Sequence, residues 1–262
     1  MIYGLVVGSF LNVCIWRLPR DESLTKPGSH CPSCNTLLKA WDLVPLFSFL
    51  AQRCRCRYCG TKISWRYFGV ELLTGVYFAL TYWRFGLSAD FLVYALFGAA
   101  LIAIFFIDIE HYIIPDQLSV FGIGIGVARD LIELGMGKRE TISLFSIPIP
   151  QSIIGILACG GAFLAIAIIS WYIFKKEGIG GGDIKLAAAV GANLVVGQAF
   201  LSFFFAVFLG SVIGIALIAL KIKSRKDYVP FGPMMVVGAF IAMFYGQNII
   251  RMWLKLSGLD SI

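Results

Sequence analysis

Two aspartates stand at the edges of long apolar stretches, where an ionisable side chain is costly and is therefore a candidate for function. Asp183 follows three consecutive glycines in Gly180-Gly181-Gly182-Asp183, between two apolar stretches. Asp108 ends another apolar stretch in the run Phe-Phe-Ile-Asp-Ile-Glu. Each acid falls at the cytosolic end of a predicted span. The pair therefore predicts a membrane-embedded aspartic protease.

Two carboxylates in one site can activate water for peptide hydrolysis. Like charges held close together cannot both ionise, so the pair shares one proton. One acid then acts as general base on water while the other polarises the scissile carbonyl. Gly180 and Gly182 would let an extended substrate backbone approach Asp183, because glycine has no side chain. The structural alternative is that Asp183 caps a helix N-terminus and that Asp108 merely ends a helix.

Two further charged residues are candidates for supporting roles because they lie near these acids in the sequence. Asp116 follows Asp108 and comes directly after Pro115. It is the rival for the role of first acid, but we interpret it as a helix N-cap or a structural polar residue. Lys185 lies two residues after Asp183 and would stand beside the site.

Four cysteines form two C-x-x-C pairs in the one long polar segment of the chain. Cys31-Pro-Ser-Cys34 and Cys56-Arg-Tyr-Cys59 have the spacing of a tetrahedral structural Zn²⁺ site. Disulfides are the alternative, but they are rare in the reducing cytoplasm, where a segment so rich in Arg and Lys is expected. A thioredoxin-like redox role is disfavoured because no strand–helix context surrounds either pair.

The composition requires a membrane. The chain has 262 residues, of which 59% are hydrophobic, and its mean hydropathy is +0.84. These values predict an all-α, polytopic membrane protein with about eight transmembrane helices and contact with membrane lipid. The net charge of +7 does not indicate nucleic acid as a partner, because most basic residues cluster in three polar segments, as in cytoplasmic loops. The eight apolar stretches are 2–16, 68–83, 91–107, 118–134, 153–174, 184–197, 200–220 and 231–253.

The order of these stretches predicts a topology. With the N-terminus outside, eight crossings place the cysteine segment and both aspartates on the cytoplasmic side. The first stretch has no basic region before it, so we do not interpret it as a cleavable signal peptide. It is short for a span of about 20 residues, which suggests that the natural chain begins further upstream.

Several segments resemble a known family, the type IV prepilin peptidases of bacteria, which are intramembrane aspartic proteases of the Gly-x-Gly-Asp class. The similar segments are 180–183 with 108–116 (Asp-Ile-Glu-His-Tyr-Ile-Ile-Pro-Asp), then 8–13, 17–19, 66–75, 230–233 and the two cysteine pairs. The resemblance implies the catalytic roles for Asp108 and Asp183. It also implies cleavage of the basic leader of type IV prepilins or pseudopilins at the cytoplasmic face of the bacterial inner membrane.

The resemblance implies a second activity, methylation of the new pilin N-terminus with S-adenosylmethionine as cofactor. No glycine-rich nucleotide motif accompanies it, so this expectation comes from resemblance alone. Glu71, an acid within the second apolar stretch, is the candidate near the methyl-transfer site; an internal salt bridge with a loop arginine is the alternative. Cys54 departs from the family, which usually has glycine there, and it adds a fifth thiol beside the metal ligands.

These expectations divide the chain into two parts. Residues 1–83 would hold the first span, a small cytoplasmic zinc-ribbon-like insertion at 17–67 and the second span, together forming the methyltransferase region. Residues 84–262 would form the intramembrane aspartic peptidase domain. The alternative function is a non-catalytic membrane scaffold or transporter with a zinc-ribbon docking domain. A proton-coupled transporter would carry its acids along a polar path near the bilayer midplane.

Overall fold

The chain folds into long apolar helices, as its composition predicts. The computed structural model describes residues 1–136, 142–144, 147–175, 178–224 and 229–258. The helices and strands are α1 (Ile2–Arg17), α2 (Phe47–Ala51), α3 (Trp65–Phe85), α4 (Ala89–His111), α5 (Asp116–Gly135), β1 (Ile142–Leu144), β2 (Ile147–Ile149), α6 (Gln151–Gly155), α7 (Gly161–Phe174), α8 (Gly181–Asn193), α9 (Val196–Ala219) and α10 (Gly232–Leu256). The chain divides into two compact units, Met1–Ile107 and Asp108–Ile262.

The first unit is organised by the close packing of α1 against α3. Gly8 makes this approach possible, because a methyl group there would lie only 2.8 Å from Cα of Glu71. One turn further along α1, the Asn12 side-chain amide donates to the Tyr67 carbonyl at 3.0 Å. Small residues at such contacts suit helices in a bilayer, where lipid supplies no hydrophobic drive for their association.

The second unit holds α8 at its centre, packed against α5 and against the segment that begins with α6. A methyl group at Gly126 of α5 would collide with the backbone of Ala192, and one at Gly155 of α6 would collide with Gly191. These contacts explain why α8 is rich in alanine and glycine: only small side chains let the neighbouring helices come this close to it. The helices α9 and α10 pack against each other along their length.

The predicted helices all form, with three local differences. Among the described residues, five helical segments are long and apolar enough to cross a membrane: Ile2–Arg20, Ala89–His111, Gln151–Ile173, Val196–Ala219 and Gly232–Leu256. The stretches at 68–83, 118–134 and 184–197 form α3, α5 and α8, so the count of eight spans stays a prediction for these three.

The first difference is that α8 ends at Asn193, because Leu194 adopts an extended backbone conformation and interrupts the expected stretch. The second is a π-helical turn, Ile156–Gly160, between α6 and α7. The third is the short antiparallel pair β1–β2, a small exception to the all-α expectation. The basic polar segment between α9 and α10 lies only partly within the described residues, because residues 225–228 are outside them.

Candidate functional site

The two aspartates come from different helices and line one cavity. Asp108 lies in the last turn of α4, and Asp183 lies in the first turn of α8. Both belong to the second unit, and both are buried, with 4% and 7% of their surfaces exposed. The cavity has a volume of about 220 Å³ and is lined by Asp108, Tyr112, Ile113, Ile114, Gly180, Gly182 and Asp183. The structure thus brings together the two acids that the sequence singled out.

Each acid receives a hydrogen bond from a glycine backbone. The Gly180 N–H donates to Asp183 Oδ2 at 3.2 Å, so Asp183 does cap its own helix, as the structural interpretation expected. The Gly232 N–H, at the start of α10, donates to Asp108. The two carboxylates also lie close enough to interact electrostatically. Both acids are therefore fixed by backbone groups within one site that contains two carboxyl groups.

Glycines bring the chain close around the acids. A methyl group on Gly182 would lie 2.9 Å from Cβ of Ile114, a lining residue of the cavity. A methyl group on Gly180 would lie 3.3 Å from Asp183 Oδ2. At Gly181 no atom of the described residues lies within 4 Å of the corresponding position. Packing within the chain thus needs glycine at the first and third positions and not at the second, while the expected approach of a substrate backbone stays a prediction.

Asp116 and Lys185 pair with each other instead of lining the cavity. Lys185 Nζ lies 2.6 Å from Asp116 Oδ2, and the two side chains are 47% and 61% exposed. Asp116 is the first residue of α5 and Pro115 holds the N-cap position, so the N-cap interpretation of Asp116 was wrong. Its ion pair with Lys185 agrees with the other interpretation, a structural polar residue. The pair joins the start of α5 to the second turn of α8, the helix that carries Asp183.

Gly232 is the site residue that reasoning from the sequence missed. A methyl group there would lie 2.5 Å from Asp108 Oδ2 and 3.2 Å from Ile114 Cδ1. The signal was present in Pro230-Phe231-Gly232-Pro233, since a glycine next to a proline at a helix start indicates a close approach. The contact itself could not be predicted, because it joins residues that are far apart in the sequence.

The four cysteines of the two C-x-x-C pairs also come together. Their Sγ atoms all lie within 4.8 Å of one another, and Cys31 Sγ is 3.8 Å from Cys59 Sγ. A tetrahedral zinc ion with Zn–S bonds of about 2.3 Å requires sulfur atoms about 3.8 Å apart. The cluster therefore fits Zn²⁺. All seven cysteines of the chain are free thiols, so the disulfide interpretation has no support.

The two halves of the cluster are built alike. The Cys31 N–H donates to the Thr36 carbonyl, and the Cys56 N–H donates to the Thr61 carbonyl. The Thr61 hydroxyl, hydrogen-bonded to the sulfur, lowers the pKa of Cys59 to about 6. In the same way the Thr36 hydroxyl lowers the pKa of Cys34. Thiolates are the species that bind metal, so these threonines prepare one sulfur of each pair for Zn²⁺.

Burial raises the pKa of Cys31 to about 11. A bound cation would oppose this effect, because it stabilises the thiolate directly. Cys54 is not part of the four-sulfur group. Its backbone has φ of +60°, in the left-handed region that favours glycine. The sequence therefore departs from the family at a position where the backbone itself suits glycine.

Asp42 organises the polar segment around the second cysteine pair. Its carboxylate accepts hydrogen bonds from the Lys39 N–H at 3.1 Å and the Tyr58 hydroxyl at 2.9 Å, and it pairs with Arg57 Nε at 3.2 Å. The same carboxylate raises the pKa of Tyr58. Glu71 has a comparable role at the membrane end, where it accepts a hydrogen bond from the Leu46 N–H at 2.8 Å. Asp42 thus fixes the backbone at Lys39 and the side chains of Arg57 and Tyr58, and Glu71 fixes the backbone at Leu46.

Comparisons with known proteins agree over the length of the chain. The model of the Bacterial Peptidase A24 N-terminal domain matches residues 2–85, and the model of the Type IV leader peptidase family matches residues 95–215. The chain is similar to proteins named "Prepilin leader peptidase/N-methyltransferase" from three bacteria. No solved structure matches it.

The similarity to these three proteins extends over nearly all of each chain. The protein of Bacillus subtilis is 32% identical over 98% of this chain and 97% of its own length. That of Legionella pneumophila is 32% identical over 97% and 92%, and that of Neisseria gonorrhoeae is 32% identical over 95% and 91%. Membership of a peptidase family favours an enzyme over a non-catalytic scaffold or transporter. The chain belongs to the type IV leader peptidase family.

Proposed function

We propose that the chain cleaves the basic leader peptide of type IV prepilins or pseudopilins, with Asp108 and Asp183 as its catalytic pair. The observation that carries the proposal is the shared cavity, into which two buried carboxylates from different helices open beside two side-chain-free glycines. The names of the relatives support the substrate class.

In the proposed mechanism the two acids hold one proton between them. The ionised carboxylate takes a proton from water, and the protonated one donates a hydrogen bond to the scissile carbonyl oxygen. The water oxygen attacks the carbonyl carbon, and as the C–N bond then breaks, the acid that took the proton from water passes it to the leaving amine, so the acids exchange roles. The N–H groups of Gly180 and Gly232 hold the carboxylates in place during the exchange. Such fixed donors need no reorganisation when the charge moves.

We place this chemistry at the cytoplasmic face of the inner membrane. Asp108 lies one turn before the end of α4, a helix long and apolar enough to cross a membrane. An acid at the end of such a helix can meet a substrate whose leader lies in the cytoplasm. The clustering of basic residues in the polar segments supports the same orientation, with the N-terminus outside.

The pair Asp116–Lys185 offers a way to receive a basic leader. A lysine or arginine of the leader would compete with Lys185 for the Asp116 carboxylate. An exposed ion pair contributes only about 0–1 kcal/mol, so its replacement by another cation costs little. Glu110 is a second acid near the site, and Glu177, which could have the same role, lies outside the described residues.

The N-terminal part, residues 1–83, we assign to methylation of the new N-terminus with S-adenosylmethionine. The relatives' names and the match to the N-terminal domain model support this assignment. The four cysteines would hold one Zn²⁺ that stabilises the polar segment 17–67. The peptidase part, residues 84–262, contains none of those ligands. Substitution of Cys31 or Cys56 by serine should therefore remove methylation more readily than cleavage.

The test of cleavage uses a co-expressed or purified prepilin. Asp108→Ala and Asp183→Ala should each abolish leader removal, and the double variant should be no worse than either, since the two residues act as a unit. Membrane insertion and expression are measured in parallel. Cleavage that survives in the Asp108 variant but fails in an Asp116→Ala variant would transfer the role to Asp116.

The test of methylation uses mass spectrometry of the mature pilin. An unmodified N-terminal amine after correct leader removal by the wild-type chain would show a peptidase without methyltransferase activity. Elemental analysis of protein prepared without chelators should find one zinc per chain. A Cys31→Ser/Cys34→Ser double variant that retains its full zinc content would contradict the ligand assignment.

A further inference from the structure

A short segment of the cysteine-containing insertion exposes apolar side chains that a water-soluble loop would hide. Phe47 is 74% exposed and Leu50 is 55% exposed, and both lie in α2. Val44, just before this helix, is 43% exposed. Between them Phe49 is buried, so α2 has one packed side and one unpartnered apolar side among the residues described.

The packed side of α2 rests on the start of α3. The Phe49 ring lies 5.1 Å from that of Trp65 and 5.6 Å from that of Phe68, measured between centroids. This contact fixes which way α2 faces. Phe47 and Leu50, three positions apart, share the opposite side of the helix.

The position of α2 along the helices follows from the Leu46 N–H, which donates to Glu71 at 2.8 Å. Glu71 lies six residues after Trp65, the first residue of α3, or about 9 Å along the helix axis. It also lies beside Gly8 of α1, about 13 Å from Arg17 at the polar end of that candidate span. The segment therefore folds back to a depth typical of interfacial helices, whose apolar faces lie about 5–10 Å into the headgroup boundary.

Charge and aromatic character agree with this depth. Trp41 is 57% exposed, and Lys39 Nζ lies 5.3 Å from its ring. Arg53 and Arg55 follow α2, and both are exposed. Aromatic side chains flanked by basic ones are typical of the membrane interface, where cations meet anionic headgroups.

The apolar surface is continuous with the surface of the helices beneath it. Leu72 and Leu73, directly after Glu71, are 37% and 45% exposed, and Phe10 on α1 is 52% exposed. Phe10 lies on α1, which is apolar and long enough to cross a membrane. Lipid around α1 would therefore also reach the neighbouring Leu72 and Leu73 of α3, and Phe47 and Leu50 of α2.

We propose that residues 41–50 form an interfacial anchor, in which Phe47 and Leu50 insert into the leaflet on the side of the cysteine cluster and the flanking basic residues bind anionic headgroups. The occupant of the apolar side of α2 is bilayer lipid. The anchor would hold the four-cysteine module against the membrane surface. This proposal does not depend on the catalytic assignment.

Nitroxide labels at position 47 or 50 test the proposal. Phe47→Cys and Leu50→Cys are made in a Cys54→Gly background, loaded with zinc and placed in vesicles of phosphatidylethanolamine and phosphatidylglycerol. Oxygen should relax these labels more than a water-soluble nickel chelate does. Lys62→Cys, at an exposed position of the same module, should show the reverse. The parent without an added cysteine gives the background, and unchanged zinc content shows that the module is folded.

Two results would overturn the anchor. One is equal access of the nickel chelate to positions 47 and 62. The other is protection of position 47 only after prepilin is added, which would make α2 a substrate surface. The unaltered chain provides a second measurement, crosslinking by lipids that carry a diazirine near the headgroup. Crosslinks should map to the peptide 40–52, and their absence while peptides of α1 are labelled would also refute the proposal. Neither readout requires cleavage activity.

Discussion

The substitution Gly232→Ala tests whether the position of Asp108 matters for cleavage. The new methyl group would lie 2.5 Å from Asp108 Oδ2, whereas ordinary contact begins at 3.4 Å, so the carboxylate must move by about 0.9 Å. The atom that must move is the far end of a side chain, so folding should be little affected. A displacement of about 1 Å in a catalytic group can lower the rate by about 10²-fold. We expect a loss of that order.

The assay is the initial rate of leader removal from purified prepilin by the reconstituted enzyme. The loss should fall in kcat, because the methyl group displaces a reacting group and leaves the outer leader contacts intact. Gly181→Ala is the matched control, since it adds the same methyl group two residues before the other acid, at a place where no described atom lies within 4 Å. It should stay within about twofold of wild type. A wild-type rate for Gly232→Ala, or an equal loss for Gly181→Ala, would refute the reasoning.

Three further substitutions test the surroundings of the two sites. Asp116→Asn should retain substantial cleavage, because the exposed pair with Lys185 contributes about 1 kcal/mol or less; a loss as large as that of Asp108→Ala would contradict this. Cys54→Gly should stabilise the zinc-loaded protein by about 1 kcal/mol, because it relieves a left-handed backbone, and zinc content should not change; thermal unfolding and elemental analysis decide. Thr61→Val removes the hydroxyl that lowers the pKa of Cys59, so protons should compete with zinc for this sulfur up to a higher pH. In a titration with a competing chelator, the pH at which half of the zinc is released should therefore rise.

The sequence was sufficient for the two acids and the cysteine pairs because each rests on a local pattern. An aspartate after three glycines indicates a candidate catalytic acid whatever the position of its helix in the fold. The C-x-x-C spacing brings two sulfur atoms together within one turn of the chain. The four thiols accordingly form the expected cluster. The pairing of Asp108 with Asp183 required only that the end of α4 and the start of α8 lie near each other, which the order of the apolar stretches predicted.

Features that depend on contacts between distant segments could not be predicted. Nothing local shows that Gly232 faces Asp108, or that Glu71 binds the Leu46 N–H instead of an arginine. The buried Asp130 is a similar case, since it accepts a hydrogen bond from the Ser152 N–H at the start of α6. Hydropathy likewise missed the end of α8, because Leu194 is apolar and only its backbone conformation breaks the helix.

The arrangement around the acids explains how two carboxyl groups can be kept close together in an apolar setting. Asp183 lies in the first turn of α8, and Asp108 accepts the Gly232 N–H at the first residue of α10. The N-terminus of a helix carries a partial positive charge and backbone N–H groups without partners inside the helix. Two helix starts thus face two carboxylates, and glycine at Gly180 and Gly232 lets each backbone come close enough to donate. Gly180 and Gly232 therefore belong to the electrostatics of the site as much as the acids do. An added methyl group is expected to lower activity at Gly232, which faces an acid, and not at Gly181.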